Sequence, residues 1–127
     1  MTTFLFNEEK PMALLDTICN LLSISRIEML SPKRGNRDSS DKRHVAMWCY
    51  KKLTPYSYPQ IGRVFNKHYT TVIHACGRVD YYVEHPHFLE KHNANKRPNI
   101  GHVALDLLYT LDPPDNIDQL SFDLTSN

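Results

Sequence analysis

Apolar residues recur along most of the chain at the three- and four-residue intervals of a helix. Leu14, Leu15, Ile18, Leu21 and Leu22 form one such stripe and predict a first helix over about 12–23. A short turn at 26–31 follows, closed by Ser31 and Pro32, and then a polar, breaker-rich run over 32–40 that reads as an exposed loop. Val45, Trp48, Cys49 and Leu53 set a third helix over about 41–53, with Ser40 as its expected N-cap and Pro55 just beyond its end. Ser57, Tyr58, Pro59 and Gln60 then spell a capping box: the serine caps a new helix, and the glutamine three residues on reaches back.

That helix carries Ile61, Val64 and Phe65 and should end near Asn66, a residue that tolerates the left-handed conformation. Only Lys67 and His68 separate it from a fifth pattern over about 69–84, with Val72, Cys76, Val79 and Val83 on one stripe. Two helices joined so closely have helix-turn-helix spacing, expected here over about 57–84. A polar stretch interrupted by Pro86 and Pro98 leads to Ile100–Leu111, whose Ala104, Leu107, Leu108 and Leu111 predict a sixth helix stopped by Asp112, Pro113 and Pro114. Trp48, Val72 and Cys76 are expected in the core, and His74, beside the apolar stripe, is expected to pack there too. The pattern therefore predicts an all-α fold of about six helices, one domain over 12–111 followed by an acidic, flexible tail over 112–127.

Composition narrows the function. With 127 residues, 41% apolar and 23% charged, the chain can build one modest core but not two. No apolar run approaches the roughly 18 residues of a membrane span. The first residues lack a basic segment and run at once into Glu8 and Glu9, which argues against a secretory signal. Cys19, Cys49 and Cys76 are odd in number and form no close pair, which suits reduced thiols in the cytoplasm. His85, His87 and His92 with Cys76 lack any metal-ligand spacing, so no metal is expected. No phosphate-binding loop, catalytic triad or paired carboxylates stand out, so neither nucleotide, cofactor nor enzymatic activity is expected.

The net charge of +1 conceals a segregation. Residues 26–97 sum to +8, whereas residues 1–25 sum to −2 and residues 98–127 to −5. A basic middle between acidic ends is suited to a polyanion, because attraction acts locally within a Debye length.

The run from Ile61 to Cys76, read Ile-Gly-Arg-Val-Phe-Asn-Lys-His-Tyr-Thr-Thr-Val-Ile-His-Ala-Cys, resembles the signature of the C-terminal DNA-binding domain of the bacterial replication initiator DnaA. The upstream residues Arg43, Ala46, Met47, Leu53, Thr54, Ser57 and Pro59 match the same family frame, over about residues 13–84. The resemblance implies a Trp-repressor-like fold that binds double-stranded DNA in replication control or transcription, as a free-standing domain without an ATPase. It places the helix at about 69–84 in the major groove and the basic loop in the neighbouring minor groove. Carried over residue by residue, it implies DNA contacts from Lys33, Arg34 and Arg37 in the loop, from Arg43, Lys51 and Ser57 on the scaffold, and from Lys67, His68, Tyr69, Thr70 and Thr71 at the recognition helix. Thr70 and Thr71 offer short hydroxyl and methyl groups suited to base edges, or else to capping the helix.

Two departures matter. His68 stands where the family has Asp, and Tyr69 where it has His. An Asp accepts from cytosine N4, whereas a neutral His can either accept or donate, and Tyr can stack or bond phosphate. These changes favour a second class of reading, an interaction protein that keeps the fold, has lost DNA readout and engages a protein partner through its acidic tail.

Overall fold

The computed structural model describes residues 9–33, 35–86 and 99–112, and the side chains from Met12 onward. Among these residues there are six α-helices and no strand: α1 (Glu9–Leu22), α2 (Arg26–Met29), α3 (Arg37–Leu53), α4 (Tyr58–Phe65), α5 (Tyr69–Glu84) and α6 (Ile100–Leu111). The all-α expectation and its six elements hold. Arg34, the stretch 87–98 with His87 and His92, and the acidic tail beyond Asp112 lie outside the described residues.

α3 begins at Arg37, earlier than the apolar stripe implies. Asn36 is extended and its side chain accepts from the Ser39 N–H at 2.8 Å, so Asn36 and not Ser40 is the N-cap. Asp38 sits in the first turn, where the helix dipole favours a negative charge. Ser39 is buried and donates its hydroxyl to the Glu28 carboxylate of α2. A first turn built from polar residues leaves no apolar signal, which is why the start was hidden.

α3 is the hub and packs against each of the other five helices. Its Val45, Met47, Trp48 and Tyr50 are buried, and Tyr50 meets Phe65 of α4 edge-on with ring centroids 5.3 Å apart. The Trp48 indole is core, as expected, and its N–H donates to Asp80 of α5 at 2.7 Å. α5 buries Val72, Ala75, Cys76 and Val79. α6 crosses α5 so closely at Gly101 that any Cβ there would overlap the Tyr82 carbonyl. Burial pushes the Cys49 thiol up to about 12 and, with help from Asp80, the Cys76 thiol up to about 11. Both therefore serve as small protonated hydrophobes. No helix among the described residues is long and apolar enough to cross a membrane.

Candidate nucleic-acid interface

The turn between α4 and α5 is built by local chemistry. Ser57 and Gln60 make the reciprocal capping box, with Ser57 N–H donating to Gln60 Oε1 at 2.8 Å and Gln60 N–H to Ser57 Oγ at 3.2 Å. At the other end Asn66 adopts φ 57° and ψ 45°, and the Lys67 N–H returns to the Gly62 carbonyl at 2.8 Å. That return brings the Lys67 carbonyl to 2.5 Å from where a Cβ on Gly62 would sit, so only glycine admits so tight a turn.

His68 then caps α5. Its Nδ1 accepts from the Thr70 N–H at 3.2 Å, and the Thr70 hydroxyl lies 2.9 Å from the same nitrogen. The capping group is therefore His68 rather than either threonine. Tyr69 stacks on the His68 ring, with centroids 4.6 Å apart and planes at 28°. His68, Tyr69 and Thr70 are exposed and Thr71 is half-buried, so the structure brings these four expected residues together at the head of α5.

The exposed face runs on along the helix through Ile73, His74 and Gly77. His74 was expected to pack against the core, and it does not. It stands two residues after Val72 and two before Cys76, about 200° around the helix from each, so it faces away from the stripe. Counting helical turns onward from Thr70 reaches Ile73, His74 and Gly77, a signal that the apolar pattern overshadowed.

The basic residues divide into two groups. Lys33 is exposed on the segment leading into α3, and Arg37 is exposed at the first position of that helix. Lys51 is half-buried at the end of α3, its ammonium 4.5 Å from the Tyr58 ring centroid and donating to the Tyr56 carbonyl at 3.4 Å. Ser57 is exposed at the head of α4.

Arg43 and Lys67 turn inward. The buried Arg43 guanidinium donates to the Met29 and Glu28 carbonyls, each at 2.9 Å, at the end of α2. Burial lowers its pKa, partly offset by Glu28, from a value high enough that it stays charged. Lys67 donates to the Ser31 carbonyl at 3.0 Å and the Pro32 carbonyl at 3.4 Å, and burial beside Arg43 lowers its pKa as well. Between α3 and α5, Arg78 bridges Asp41 at 2.9 Å and contacts His44 Nδ1 at 3.0 Å, lining a polar cleft with Arg37. Sequence reasoning missed this cluster, in which Arg78 stands more than 30 residues from Asp41 and His44.

Residues 11–79 match the family model described as the bacterial dnaA protein helix-turn-helix. The chromosomal replication initiator protein DnaA of Methylobacillus flagellatus is 38% identical over 65 residues, which cover 50% of this chain and 14% of that relative. The chain thus matches only a small part of the relative's length.

Proposed function

The chain belongs to the bacterial DnaA helix-turn-helix family, and from that premise we propose that it binds double-stranded DNA in replication control or transcription. α5 lies in the major groove, and the basic segment around Lys33, Arg34 and Arg37 reaches the adjacent minor groove. The observation that carries this reading is the exposed head and outer face of α5, presented by a turn too short to shield it. A helix fits the major groove, and short side chains at its N-terminal end are the ones that reach base edges.

Thr70 and Thr71 supply base contacts, with Tyr69 and His74 beside them. Ser57 at the start of α4, and Lys51 at the end of α3 with its ammonium against the Tyr58 ring, supply phosphate contacts. Arg43 and Lys67 act through position: they hold residues 28–32, where the basic segment begins. Such a module carries out no catalysis of its own, and a DNA ligand places it with the chromosome in the cytoplasm.

The test is a titration of fluorescent duplex by the full chain across salt concentrations. Contact with about five phosphates should give a slope of log affinity against log salt of roughly −4 to −5. No duplex binding at low salt would remove this reading.

A further inference from the structure

Resting on the reading of α5 as the groove-facing helix, we propose that His68 is a specificity-determining hydrogen-bond donor that selects against cytosine, in favour of a base with a major-groove acceptor, at the base it faces. A backbone N–H can only donate. Because the Thr70 N–H points at His68 Nδ1 at 3.2 Å, that nitrogen must offer its lone pair, and the proton of the neutral ring sits on Nε2. The Thr70 hydroxyl, 2.9 Å from the same nitrogen, finds no ring proton to accept and donates as well. Two donors therefore hold one tautomer.

Nε2 lies on the opposite edge of the imidazole, away from the backbone it caps. The ring is exposed, and Tyr69 stacked on one face at 4.6 Å restricts its rotation. The head of α5 consequently presents a fixed N–H donor. In the major groove guanine offers O6 and N7, adenine N7 and thymine O4, whereas cytosine presents only its N4 donor. A donor set against cytosine leaves both groups unpaired; set against any of the other three bases it makes a hydrogen bond. A carboxylate at this position would accept only, and would have the reverse preference.

The experiment is selection of sites from a random duplex pool by the full chain and by two variants, His68→Asn and His68→Asp. Asn and Asp are both strong N-caps, so each can replace the Nδ1 cap with a side-chain oxygen. Matching thermal unfolding midpoints check that α5 is intact. Asn keeps an N–H donor on its other terminal atom and should retain the parent's exclusion of cytosine. Asp has none and should shift that position to cytosine, with about a tenfold loss on the parent's selected site. Retention of the parent's preference at every position by the Asp variant would overturn the inference and leave DNA binding standing, as would an Asn variant that shifts in the same way as Asp. Failure of the parent chain to bind any duplex would overturn the DNA-binding reading, and this one with it.

Discussion

Arg43 and Lys67 carry the same charge as Lys33 and Arg37, and all four belong to one basic stretch of sequence. The first pair is turned into a seam, where their donors grip the carbonyls of Glu28, Met29, Ser31 and Pro32. The second pair is exposed, Lys33 just beyond Ser31 and Pro32 and Arg37 at the rim of the cleft that Arg78 lines. Charge in a sequence is thus not the same as charge available to a partner. The seam ties the end of α2 to α3 and to the turn before α5, so inward cations set the spacing between the two surfaces that we propose face DNA.

The largest effect that separates the two regions is expected at Arg43. Arg43→Ala removes charged hydrogen bonds to two carbonyls together with a buried stem, and should cost about 3 kcal/mol of stability in denaturant unfolding. A loss as small as that of an exposed substitution would mean that the seam does not hold α2. Lys67→Ala comes next, at about 1 kcal/mol. Because its ammonium is committed to Ser31 and Pro32, the salt slope of duplex binding should stay within about half a unit of the parent's. A slope shallower by a full unit would place Lys67 on phosphate instead. Arg37→Ala should give the smallest change in stability, within about 0.5 kcal/mol, yet weaken all duplexes alike and flatten the slope by about one unit.

The elements that depend on near neighbours in sequence were legible. Ser57 with Gln60 announced α4, Asn66 its end, and the apolar stripes of α1, α5 and α6 their inner faces. What escaped was of two kinds. The first turn of α3 is polar throughout, so Asn36 capped it ahead of any apolar residue, and Ser39 found its partner on α2. The inward turn of Arg43 and Lys67 depends on carbonyls 14 and 36 residues away, and no local pattern encodes such a meeting. The family resemblance pointed to the head of α5, where His68, Tyr69 and Thr70 are exposed, but it could not tell which basic residues face out. His74 was misplaced for a simpler reason: a position near an apolar stripe in sequence can lie across the helix from it in space.

The most direct measurement is an amide NMR titration of the full chain with a duplex recovered by selection. The exposed head and face of α5, from Tyr69 to Gly77, should show the largest shift changes, together with the amides around Lys33 and Arg37. Amides on the outer face of α6, around His102, Asp106 and Tyr109, should barely move. Perturbations centred on α6, with the head of α5 unaffected, would contradict the assignment of α5 as the DNA-facing helix.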